Sequence, residues 1–253
     1  MLLLLIIPAY LPAQNDIPVT KGTAIISIIS NDTIWIGADS RLQNTRNGSV
    51  SDTAYKIIKS ENMVFAHSGL FNTSDGSLNI NRLFKESAAA GKSFTGTVLL
   101  FDDLLISQLL AFNWKSLLPG RLMTGDTLTD LNITTLFAKS DSTETLIVIQ
   151  KYHPILRNDE KLDIRYQCDT IRNVDNNYIN IGAMGNVQEI MSFLDRTGVA
   201  MLEATNPEKF ITFLIKDIAA KNHPAKVGGP VDIIRLTKDD IKWLKVKQNI
   251  DKL

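Results

Sequence analysis

Two short apolar runs joined by a polar pair open the readable part of the chain. Ala24–Ser30 (AIISIIS) and Thr33–Ala38 (TIWIGA) are rich in β-branched residues, and Asn31-Asp32 between them predicts a hairpin turn. Lys56–Ile58 and Met63–Ala66 flank the polar turn Lys59–Asn62 and predict a second strand pair. Apolar residues at helical spacing predict helices over Asn79–Ala90, with Asn79 as the cap, and over Leu104–Trp114. Asn132–Lys139 and Thr145–Tyr152 alternate around Ser140–Ser142, a third hairpin, and Tyr178–Ile181 reads as a short strand. Helices follow at Val187–Asp195 and Pro207–Lys221, the latter with Pro207 in its first turn. Val231–Leu236 is a last strand before an amphipathic tail.

Hairpins imply antiparallel sheets, and central apolar helices need sheet faces to bury against. The expected class is therefore α+β. Two antiparallel sheets between two helical layers, a four-layer αββα sandwich, satisfy the order of elements. Periodicity alone leaves other α+β arrangements open.

Composition narrows the partners. The chain has 253 residues, 44% of them hydrophobic, enough to bury a sizeable core. With 27 basic and 27 acidic side chains the net charge is zero, and no basic run offers a footprint for nucleic acid or an anionic membrane. A peptide, an amide or another protein fits better. Cys168 is the only cysteine, so no internal disulfide forms, and His67, His153 and His223 lack ligand spacing, so neither metal nor cofactor is expected.

The start, MLLLLIIPAYLPAQ, is too short an apolar block to span a bilayer. It reads as a signal peptide over residues 1–13, ending in the small residue Ala13, although a basic n-region is missing. Residues 14–22 then form a short propeptide, and 23–253 one domain, since no repeat, linker or composition break interrupts them. Export to a secreted or periplasmic location is the expectation, with no membrane span after processing. A cytoplasmic protein whose apolar start is all propeptide is the alternative.

Gly22-Thr23 is the chemically suggestive junction. Cutting there frees an α-amino group beside a hydroxyl nucleophile, a complete small acyl-transfer pair. Asp39 follows sixteen residues after Thr23, and Lys56 opens the next apolar run. Taken singly these residues are ordinary: Thr is a common strand former, and an Asp with a Lys is usually an ion pair. Ser68 in His67-Ser68-Gly69 lacks a Gly-x-Ser-x-Gly context, and Gly228-Gly229-Pro230 lacks the helix and lysine of a phosphate loop. Asn132-Ile133-Thr134 matches a glycosylation triplet by pattern only, and Cys168 reads as a surface or half-buried thiol.

As an ordered set the picture sharpens. Gly22-Thr23, IGADSR (Ile36–Arg41), YKII (Tyr55–Ile58) and FAHSG (Phe65–Gly69) resemble the proteasome β-subunit family of N-terminal nucleophile hydrolases. The match is clearest over Gly22–Asn72, with an echo at Ile181–Gly185 and Val227–Leu236, and the Asp39-to-Lys56 gap is one residue longer. The resemblance implies a threonine-type peptidase or amidohydrolase, self-processed at Gly22-Thr23, acting on a peptide or small amide and assembling as a homo-oligomer. By it, Thr23 is the nucleophile, Lys56 the cation beside its hydroxyl, Asp39 the partner of Lys56, and Gly69 the oxyanion donor through its backbone N–H. The sequence departs where the family places supporting polar groups. Ala183 or Met184 stands in place of a serine, and Pro224 and Val227 in place of an aspartate and a serine. A catalytically silent subunit that assembles or binds is the alternative these departures favour.

Overall fold

The computed structural model describes residues 23–43, 49–70, 72–73, 76–111, 132–157, 161–172, 179–185, 190–192, 194–195, 206–222 and 227–246. The expected signal peptide, propeptide and Gly22 lie outside the described residues, as do His223 and Pro224.

β1 (Ala24–Ser30) and β2 (Thr33–Asp39) pair as a hairpin, with Asn31 and Asp32 at φ of 47° and 58°. Asn and Asp tolerate this left-handed region, and its twist matches that of the flanking strands. β1 also pairs with β10 (Asn180–Gly185), and β2 with β11 (Val231–Leu236), which carries β12 (Ile241–Lys245) at the edge. The first sheet therefore runs β10-β1-β2-β11-β12. A second, β5-β6-β7-β8-β9, is built from Ile57–Lys59, Val64–Gly69, Ile133–Ser140, Thr145–Leu156 and Leu162–Arg172. β3 (Leu42–Gln43) and β4 (Val50–Ser51) form a small third sheet. Pairing is antiparallel throughout.

The strand period of two explains why β1, apart from Ser27 and Ser30, reads as apolar without alternation. Ile25 and Ile29 pack between the two large sheets with Val64, Ala66, Leu136 and Ile147. Ala24, Ile26 and Ile28 face the other way, against Phe210, Ile211, Leu214 and Ile215 of α3 (Pro207–Asn222). A strand buried on both faces needs no polar alternation.

On the second sheet, Phe65 and Phe137 pack against Phe84 of α1 (Ile80–Ala90) and Phe101 of α2 (Phe94–Ala111). The Phe65 and Phe84 rings stack with centroids 4.5 Å apart. The Asn79 side chain caps α1 by accepting from the Arg82 N–H at 2.9 Å. α2 starts ten residues before Leu104 and is long and apolar enough to cross a bilayer by length and composition alone; here Val98, Phe101, Leu105 and Leu109 are buried against the fold. Asp102 of α2 accepts hydrogen bonds from Tyr152, Tyr166 and Gln150, fastening the helix to β8 and β9.

The expected α+β class and its αββα sandwich need correction. Of the described residues 46% lie in strands and 29% in helices, so the structure is mainly β, with three antiparallel sheets rather than a helix–sheet–sheet–helix sandwich. Four strands absent from the sequence reading contribute, the short β3 and β4 together with β9 and β12. β9 alternates at Leu162, Ile164, Tyr166 and Cys168, a pattern the sequence reading passed over, and its residues from Arg165 to Thr170 are exposed. β12, taken for an amphipathic tail, is an edge strand whose alternation serves a sheet. Within the expected helix Val187–Asp195 the described residues, 190–192 and 194–195, are helical.

Candidate active site

Asp39 ends β2 at the edge of the buried interior, and its carboxylate organises everything around it. It is 1% exposed and accepts four hydrogen bonds. Oδ1 takes the Lys56 Nζ at 2.9 Å and the Ala24 N–H at 3.0 Å. Oδ2 takes the Gly228 N–H at 3.0 Å and the Arg41 N–H at 3.2 Å. A buried carboxylate is tolerable only with such compensation. One side chain thereby ties together the start of β1, the end of β2, the entry to β5 and the loop before β11.

Lys56 immediately precedes β5 and is as deeply buried as its partner. Its ammonium also donates to the Arg41 carbonyl at 2.7 Å, so two of its three N–H groups are used. Burial pulls its pKa below the ordinary lysine range, and the Asp39 carboxylate opposes that pull by charge and hydrogen bond. Asp52 and Asp232 push the same way as Asp39.

Thr23 is 6% exposed and sits one residue before the amide that Asp39 holds. On its other side, Gly185 of β10 has φ of +84°, and an added Cβ would lie 1.6 Å from the Thr23 carbonyl oxygen. Only glycine allows that approach. Gly69 ends β6 with φ of +93°, where a Cβ would come within 1.9 Å of the Asn132 carbonyl oxygen. It joins the group through the strand pairing: the His67 N–H, two residues before it, donates to the Lys56 carbonyl at 3.1 Å.

The structure thus puts Asp39 and Lys56 in direct contact, with Thr23 beside them along β1 and Gly69 on the strand next to β5. The supporting positions are apolar in surroundings as well as in type. Met184 packs between the sheets, while Ala183 and Val227 lie with the cluster under α3.

Several partners escaped the sequence reading. Arg41 grips Asp52 with two parallel bonds, Nε to Oδ1 at 2.6 Å and Nη2 to Oδ2 at 2.8 Å, which stiffens the turn after Asp39. Asp232 is buried on β11 opposite Ala38; its signal was an acid interrupting the apolar run VDIIRL. Gly228 and Gly229, set aside as a failed phosphate loop, have φ of 152° and 73°. Their backbone brings the loop against Asp39 and leaves no room for a Cβ beside Arg41 and Ser40. Ser68 is buried, and His67 donates from Nε2 to the Asn81 side-chain oxygen at 3.0 Å, an orientation fixed because the Asn81 amide nitrogen donates to the Tyr55 carbonyl. Burial drives His67 to about 3, and it stands neutral. Among the described residues no group of three or more His, Cys, Asp or Glu could hold a metal ion.

Compared with protein-family models the chain matches none, and a search of curated proteins gives no match.

Proposed function

We propose that this chain is a threonine-nucleophile hydrolase of peptide or small amide bonds, resembling the proteasome β-subunit family and maturing by self-cleavage between Gly22 and Thr23. The observation that carries the reading is the Asp39 carboxylate, which bonds both the Lys56 ammonium and the amide next to Thr23. A buried cation and the hydroxyl-bearing residue are thereby locked to one anchor.

In maturation the Thr23 Oγ attacks the Gly22 carbonyl carbon, its proton passes to the departing nitrogen, and water hydrolyses the resulting ester. The freed Thr23 α-amine, which titrates near neutrality, then takes the hydroxyl proton in each turnover. Attack on the substrate carbonyl forms an acyl-threonine and releases the amine; water completes the cycle. The remaining Lys56 N–H stabilises the developing alkoxide, and the Gly69 N–H serves the oxyanion, a contribution on the order of 3 kcal/mol. The protein acts outside the cytoplasm as a homo-oligomer once residues 1–13 are removed.

A silent assembly or binding subunit is the second reading. The apolar packing of Met184 and Val227, where support for the α-amine is needed, favours it. Intact-mass spectrometry of the wild-type chain beside Thr23→Ala separates the two. A wild-type chain beginning at Thr23, with the variant longer, supports the hydrolase; identical N-termini support the silent subunit. Labelling by a peptide epoxyketone then reports whether the free amine and hydroxyl act together.

A further inference from the structure

A cavity of about 690 Å3 opens between the edge strands β5 and β12, beneath the first turns of α1. It falls within the range of small-molecule sites. Its walls include the Thr53–Tyr55 segment and Ile57, Ile58 and Lys59, but none of Thr23, Asp39, Lys56 or Gly69. It is therefore a neighbour of the candidate active site and not part of it.

The lining is lopsided in charge. Among the described residues Lys59, Arg82 and Lys85 contribute to it, and no Asp or Glu does. Lys59 is anchored by donating to the Ile241 carbonyl at 2.7 Å. Arg82 has a loose pairing with Glu86, N to O 3.7 Å, with both side chains about half exposed. Such an exposed pair is worth little and exchanges readily for a better acceptor. Lys85 has no ion pair or hydrogen bond among the described residues. The floor is apolar, formed by Leu42, Ile57 and Ile58, with the indole of Trp243 contributed by β12.

We infer that this cavity binds a small organic anion with a flat apolar body, of the aryl carboxylate class. The cations at the mouth pair with the carboxylate, and Trp243 with the isoleucines covers the ring. A neutral analogue buries the same ring but leaves the cations without an anion. Asn81 in the wall also bridges the Tyr55 carbonyl and His67, whose backbone N–H donates to the Lys56 carbonyl, so the cavity lies beside the residues that hold Lys56.

The probe is 2-naphthoate against its neutral counterpart 2-naphthamide, titrated by calorimetry into the Thr23→Ala chain, whose length is fixed whether or not the wild type self-cleaves. The expected result is binding of naphthoate roughly tenfold or more tighter than naphthamide, the discrimination of one good charge-assisted contact. The double variant Arg82→Gln/Lys85→Gln removes that advantage and leaves naphthamide binding unchanged. Trp243→Leu weakens both ligands, with circular dichroism checking that each variant folds. Equal affinities for acid and amide, retention of the advantage in the double variant, or no heat from naphthoate at millimolar concentration would each overturn the inference. None of these outcomes depends on whether Thr23 is a nucleophile.

Discussion

Replacing Asp39 by Asn keeps the shape of the side chain and removes its charge, and the arrangement around it sets the expected cost. Both Asp39 and Lys56 are 1% exposed, so neither charge can turn to water. After Asp39→Asn the buried ammonium keeps only the Arg41 carbonyl as a described hydrogen-bond acceptor besides the new amide. Breaking a buried pair from one side costs about 3–5 kcal/mol. Lys56→Met, close in volume, leaves the Asp39 carboxylate with three backbone donors, from Ala24, Arg41 and Gly228, so the loss is smaller, about 1–3 kcal/mol. The double variant has no buried charge left at this pair and should lose less than the two singles added, by roughly 2 kcal/mol. Urea unfolding of all four chains at neutral pH, in the Thr23→Ala background, supplies the cycle. If Asp39→Asn costs less than about 1 kcal/mol, or the two losses simply add, Asp39 is not the anchor described here.

Other expectations test neighbouring parts. His67 is held neutral by burial, with a folded pKa of about 3 against 6.5 unfolded, so the unfolded chain binds more protons between those values. That stability is fully present above about pH 6.5 and is lost as pH falls towards 3; between pH 7 and 5 the loss is about 2 kcal/mol, and His67→Gln should flatten that part of the unfolding profile. Gly185→Ala drives a Cβ into the Thr23 carbonyl oxygen and should stop self-cleavage in the intact-mass assay even if the chain still folds. Gly69→Ala meets the Asn132 carbonyl at positive φ and should lower the urea midpoint well beyond an ordinary surface change; an unchanged midpoint would contradict the crowding. Cys168 is exposed on β9, so one equivalent of thiol should react rapidly with Ellman's reagent in the native protein. Slow reaction that needs denaturant would show that the strand is covered.

The sequence by itself determined the elements whose chemistry is local. Asn31-Asp32 fits a hairpin turn because those two residues bear positive φ, Asn79 caps α1 because its side chain reaches the Arg82 amide, and β1 is apolar on both faces, apart from Ser27 and Ser30, because both are buried. It also singled out Thr23, Asp39, Lys56 and Gly69 as candidates. What it left unread depends on partners distant in the chain. β9 pairs with β8 through its backbone and leaves Arg165 to Thr170 exposed, so its short alternation at Leu162, Ile164 and Tyr166 marks no fully buried face. The strand-heavy balance of the fold followed from such pairings. The fourfold bonding of Asp39 likewise needs Gly228, 189 residues away, and the fate of Met184 and Val227 was decided by which layer each faces. Hydrogen bonds along one stretch of chain are written in neighbouring residues; a buried charge is stabilised only by whatever the tertiary fold brings against it.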